Sequence, residues 1–281
     1  MATIGELTVL ASGFDTLEGP AFDRHGNLFF VDWVRHSIMR RSQDGELREF
    51  FNTGGIPAGL AFHPDGSLWV ADEGDDIHGL LRITPDAEAA IVVNEFAGKP
   101  LNGANDLIFD NAGNIYFSDP WQTGAENPTG GFYRYTIDGE LQQIDNGLAF
   151  PNGVALTHDG QYVILAETFR NRILRYRIEA DGTIGPREVW ATTTQPSGPD
   201  GMAMAMDGTL YVAHHGGGTV DIFMPDGNQA GSIEIPGKRV TNCAFGGPQR
   251  TTLVITECDT GSLYSIELDV AGLPLHDGFS N

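Results

Sequence analysis

FDRHGNLFFVD, residues 22–32, carries the pattern that decides the fold: an apolar residue, a polar turn around Gly26, then an apolar run closing on an acid. A glycine turn between two apolar runs is a hairpin signal, because the turn needs backbone angles that a Cβ disfavours. The cassette recurs as FHPDGSLWVAD (62–72), FDNAGNIYFSD (109–119), LTHDGQYVILAE (156–167) and MAMDGTLYVAH (204–214). A sixth copy, FGGPQRTTLVITE (245–257), has lost the regular glycine turn. First residues of successive copies are 40, 47, 47, 48 and 41 residues apart. Between the copies runs a second series of turns, including RRSQDGELREF (40–50), RYTIDGELQQI (134–144), IFMPDGNQAGSI (222–233) and SIELDVAGLPL (265–275). Two hairpins per unit make four antiparallel strands, and six such units predict an all-β chain, a six-bladed β-propeller occupying 1–281 as one domain. A β-sandwich gives no reason for one cassette to repeat six times. Leu7–Ser12 has no partner in the first unit and is expected to supply the outer strand of the last blade, hiding an edge.

The charge balance narrows the partners. Lys and Arg number 16 against 38 Asp and Glu, a formal charge of −22 that argues against nucleic acid and anionic membrane surfaces. No apolar stretch is long enough to span a bilayer, and the first residues, interrupted by Glu6 and Asp15, lack the pattern of a secretory leader. The expectation is a cytoplasmic protein, with Cys243 and Cys258 as reduced buried thiols, although one bridge between them is possible.

One position of the repeat carries chemistry. Four residues before the start of each copy stand Glu18, Ala58, Asn105, Asn152, Asp200 and Thr241. Equivalent positions of symmetric blades form a ring where the innermost strands begin, so four oxygen-bearing side chains should face one another. Gathering two carboxylates and two amides costs free energy unless a cation sits among them. Oxygen donors without Cys or His suit a hard ion, Ca²⁺ first, with Mg²⁺, Mn²⁺ or Zn²⁺ as alternatives. A hydrated polar plug without metal is the competing reading. The strand after each turn returns to the same end, placing Trp33, Trp121, Phe169, His214 and His215 around the mouth as candidate substrate contacts. The strand-end acids there are read mostly as hydrogen-bonding partners of neighbouring blades.

The combination LEGPAF, GANDLIFD, YFSDP, FPNGVAL with AET, and GPDGMAM, in order from Glu18 to Leu268, resembles the gluconolactonase/regucalcin-like propellers, which include sugar-acid lactonases. The resemblance implies one divalent metal, often calcium, on Glu18, Asn152 and Asp200, with Asn105 as a further ligand or substrate contact. Relatives acting on polar sugar lactones often carry an Arg two residues before the Asn matching Asn105. Gly103 stands here instead, so that contact to substrate hydroxyls is missing, and with the aromatic wall this allows a less polar lactone as well as a sugar-acid lactone.

The sequence therefore predicts a metal-dependent lactonase that opens a small-molecule lactone with an activated water, Asp200 serving as ligand and general base. Hydrolysis of a phosphotriester or fluorophosphate at the same site, and a non-enzymatic calcium- or partner-binding propeller, are the alternatives.

Overall fold

The computed structural model describes residues 5–276 and shows a six-bladed β-propeller, each blade a four-stranded antiparallel sheet. Blade 1 runs Leu17–Phe22, Leu28–Asp32, Ser37–Arg41 and Leu47–Asn52. Blade 2 runs Pro57–Phe62, Leu68–Asp72, Gly79–Ile83 and Ala89–Val93, and blade 3 runs Leu107–Phe109, Ile115–Asp119, Gly130–Tyr135 and Leu141–Leu148. Blade 4 follows as Pro151–Leu156, Tyr162–Glu167, Arg172–Arg177 and Glu188–Thr192, then blade 5 as Gly198–Met204, Leu210–His215, Thr219–Phe223 and Gln229–Glu234. Blade 6 takes Val240–Gly246, Thr252–Glu257 and Ser262–Glu267 from the C-terminal part of the chain and Thr8–Ser12 from the N-terminal part.

That last sheet meets the expectation for the N-terminal strand and qualifies another. SIELDVAGLPL does not form a second hairpin, because Thr8–Ser12 already pairs with Ser262–Glu267. After Glu267 the chain instead crosses to blade 5, where Gly272 bridges Ala205. The lost turn of the sixth copy is a five-residue connection, 247–251, between the first two strands.

The blades fall into two compact units, Glu18–Pro151 with blades 1–3 and Asn152–Leu273 with blades 4–6 and the N-terminal strand. Within each, the core lies between blades. One cluster packs Phe29, Val31 and Ile38 of blade 1 on Leu60, Val70 and Ile83 of blade 2. Its counterpart in the other unit packs Tyr211 and Val220 of blade 5 on Leu253 and Ile255 of blade 6. Second strands such as LFFVD and IYFSD are buried at every residue, whereas outer strands such as LREFFN are largely exposed. Both faces of a second strand meet neighbours, so it reads as a continuous apolar run rather than an alternating one.

Candidate functional site

Each ring position lies where an inner strand begins. Glu18, Ala58, Asn152 and Thr241 are the second residues of their strands, Asp200 is the third, and Asn105 stands two residues before Leu107. In blades 2, 5 and 6 the pairing register slips across this position, between Pro57 and Leu60, Pro199 and Met202, and Val240 and Asn242. A bulge re-aims the residues inside it, so Ala58, Asp200 and Thr241 leave the regular pleat of the sheet. Adjacent inner strands are in contact: a Cβ on Gly59 would strike Asn105 and Asp106, and one on Gly153 would collide with the Asp200 carbonyl. The glycine after the ring residue thus lets Asn152 and Asp200 occupy touching strands of one unit, and Ala58 and Asn105 those of the other. Asn105 is 9% exposed and Asn152 and Asp200 are 5% exposed. Among the described residues no group of three or more His, Cys, Asp or Glu could hold a metal. Carboxylates mixed with amides are the donor chemistry available, and it fits a hard cation rather than a thiolate- or imidazole-preferring one.

In the unit of blades 1–3, three of the expected site residues meet. The rings of Trp33 and Trp121 lie edge to face, 6.2 Å between centroids. Asn105 Nδ2 donates to Glu73 Oε1 at 2.8 Å, and the same carboxyl accepts a hydrogen bond from Trp33. Glu73 is 3% exposed, and burial pushes its pKa up to about 7, reinforced by the nearby charges of Asp72 and Asp119 and opposed by the Asn105 and Trp33 hydrogen bonds. Because a carboxylate only accepts, it holds the amide nitrogen of Asn105 and turns the carbonyl oxygen away from itself. Sequence reading placed Glu73 at the mouth only as a strand-end acid. Its contact with Asn105 spans 32 residues and exists only because blades 2 and 3 pack together.

Gly103 explains the missing arginine. Its φ is +145°, and a Cβ there would stand 2.8 Å from the Trp121 Cβ and 3.0 Å from the Glu73 backbone. The tryptophan and the glutamate occupy the room that a longer side chain would need.

Three of the strand-end acids, Asp72, Asp119 and Glu257, turn out to be latches that grip the connector leading into the inner strand of their own blade. Asp72 accepts from Ile56 N at 2.8 Å and Thr53 Oγ1 at 3.0 Å. Asp119 accepts from Gly103 N at 2.7 Å and Asn102 N at 3.0 Å, while burial raises its pKa. Glu257 accepts from Arg239 N at 3.1 Å. Glu167 accepts from Arg172 Nε at 2.5 Å.

Blade 5 places His214 at this position. Its Nδ1 meets Asp221 Oδ2 at 2.9 Å and its Nε2 meets the Pro196 carbonyl at 3.1 Å. Both partners offer acceptor oxygens, an arrangement that suits the doubly protonated ring, and the Asp221 hydrogen bond raises its pKa against the cost of burial. His214, expected to contact substrate, has both nitrogens engaged inside the chain. His215 is half-buried opposite Gly198, and burial beside Arg239 lowers its pKa. Phe169, 43% exposed, rides on the one-turn 3₁₀ segment Thr168–Arg170, which is tied to the Asp200 strand by Thr168 Oγ1 donating to the Pro199 carbonyl at 2.7 Å.

By architecture the chain is a six-bladed β-propeller with buried carboxylate and amide side chains where its inner strands start. It belongs to the SMP-30/Gluconolactonase/LRE-like family, whose region matches residues 17–259. A gluconolactonase of Zymomonas mobilis subsp. mobilis is 30% identical, across 88% of this chain and 78% of that protein. Diisopropyl-fluorophosphatase of Loligo vulgaris is also 30% identical, across 89% of this chain and 88% of that one. The solved structure of a gluconolactonase from Xanthomonas campestris matches with a TM-score of 0.83 at 27% identity, covering 94% of this chain and 89% of that chain.

Proposed function

We propose that this chain is a metal-dependent lactonase for a lactone less polar than a sugar lactone. The observation that carries the reading is the recurrence of Glu18, Asn105, Asn152 and Asp200 at one repeat position, a set that fits a hard divalent cation, Ca²⁺ before others. Glu18, Asn152 and Asp200 would hold the ion, and Asn105 would complete its ligands or hydrogen-bond the substrate. Such an ion supplies Lewis acidity toward a carbonyl oxygen. Asp200 takes the proton of the water that attacks the lactone carbonyl carbon. The ring C–O bond then breaks, and the leaving alkoxide recovers that proton to give a hydroxy acid. Trp33 and Trp121 offer the apolar wall, and Gly103 withholds the cation that would favour a hydroxyl-rich ring.

The test is a panel of aliphatic and sugar lactones assayed with and without chelator. Turnover should vanish with chelator and return with Ca²⁺, and Asp200→Asn should lower kcat by about a hundredfold or more. Lactone turnover unaffected by chelator, or by Asp200→Asn, would refute the mechanism. The fluorophosphatase relative favours one alternative, hydrolysis of a fluorophosphate at the same residues. Turnover of diisopropyl fluorophosphate with none of the lactones would select it, and turnover of neither would leave a binding propeller.

A further inference from the structure

At the other end of blades 1 and 2, where inner strands finish and second strands start, a groove of about 330 Å³ opens between the two sheets. Its shape follows from register. Phe29 pairs with Arg40 and Arg40 with Arg48, so these three side chains form one row across blade 1. Phe62 pairs with Leu68 and Leu68 with Ile83, forming the facing row of blade 2. The rows touch at their inner ends, where Phe29 and Phe62 meet edge to face at 4.9 Å between centroids, with Phe50 5.1 Å from Phe29 on the other side. Besides the three phenylalanines the groove is lined by Leu68 and Ile83 of the blade 2 row and by Arg40 and Arg48 of the blade 1 row.

The charges in this groove run against the balance of the whole chain, which has 16 basic residues against 38 acidic ones. Arg40 and Arg48 stand directly opposite each other across a strand pair, an arrangement that is unfavourable for like charges. Among the described residues neither is in an ion pair. Arg24 and His25 line the same groove, and the one acid on it, Asp23, is occupied by its own turn: it accepts from His25 N, Asn27 N and Asn27 Nδ2 at 2.7–2.9 Å.

We infer that this groove binds a small organic anion, a carboxylate, phosphate or phosphonate carrying an aromatic or short aliphatic body. The paired guanidinium groups of Arg40 and Arg48 would take the anionic head and the phenylalanine floor its body. Guanidinium forks match such oxyanions in a bidentate way, and an anion between two arginines relieves their repulsion. The site lies at the opposite end of these blades from Glu18 and Asn105 and does not depend on the lactonase reading.

Isothermal titration of the whole protein with phenylphosphonate tests it, with inorganic phosphate supplying charge without a body and benzyl alcohol a body without charge. Phenylphosphonate should bind one to one, with each control at least about tenfold weaker. Arg40→Ala/Arg48→Ala and the single reversal Arg48→Glu should each weaken it by about tenfold or more, with catalytic turnover unchanged and the melting temperature not lowered. No binding at millimolar concentration, binding that both variants leave intact, or inorganic phosphate binding as tightly as phenylphosphonate would each overturn the assignment.

Discussion

Blades 3 and 5 solve one problem with opposite chemistry. In each, the last buried residue of the second strand fixes the connector that delivers a ring residue. Asp119 does so in blade 3 as a carboxylate accepting two backbone N–H groups ahead of Asn105. His214 does so in blade 5 as a cation donating to the Pro196 carbonyl ahead of Asp200, and it needs Asp221 as a counter-charge. Asp221 is itself steadied by Thr219 Oγ1 at 2.8 Å. The position demands a buried polar grip on the backbone, and either sign of charge serves. Asp119 is held by backbone amide hydrogen bonds, whereas His214 has Asp221 as its own partner and with it a dependence on pH.

The largest effect is expected in blade 5. His214→Ala leaves the Asp221 charge buried without its partner and should cost about 3–5 kcal/mol in urea unfolding near pH 6. The double variant His214→Ala/Asp221→Ala should cost less than the single one. A pH series sharpens the point. The folded chain raises the His214 pKa above its ordinary 6.5, so the folded state holds this proton more tightly than the unfolded state. The stability contributed is complete below that value and is lost as pH rises through the folded-state pKa. Wild-type unfolding free energy should therefore decline over that interval by more than that of the His214 variant. His215, whose pKa burial lowers, is the neighbouring imidazole.

In blade 3, Asp119→Ala orphans two backbone donors and should cost about 3 kcal/mol without this slope above neutral pH. Gly103→Ala places a Cβ at φ +145° against Trp121 and should cost about 2 kcal/mol, with a change in tryptophan fluorescence. Trp33→Phe removes one hydrogen bond to Glu73 while keeping the aromatic wall, and about 1 kcal/mol is expected.

How much of this could be read beforehand follows from range. Blade number, strand order and the swapped N-terminal strand were legible because glycine turns and apolar runs are local signals repeated at a near-constant period. The ring positions were legible as offsets within that repeat, but their bulges were not, since a bulge depends on how two strands register. The His214–Asp221 pair had a visible trace: the hairpin HHGGGTVD pairs His214 with Thr219 and leaves Asp221 two residues further on. The Arg40–Arg48 row was likewise implicit in RRSQDGELREF. Glu73 left no such trace, because its partners Trp33 and Asn105 come from the blades on either side of its own. Gly103 was noticed for the side chain it lacks, and only packing against Trp121 and Glu73 shows why none is accommodated.

Blade 6 joins residues 8–12 to residues 262–267, so its hydrogen-bond ladder cannot be finished until all the intervening blades have been synthesised. The nascent chain must carry Thr8–Ser12 unpaired through the synthesis of five blades, and an amino-terminal deletion reaching Ser12 would leave Ser262–Glu267 as a bare template for strand exchange between molecules. A circular permutant opened in the exposed turn at Asp181-Gly182, with the present termini linked, would make that blade from contiguous chain and should refold faster at similar stability.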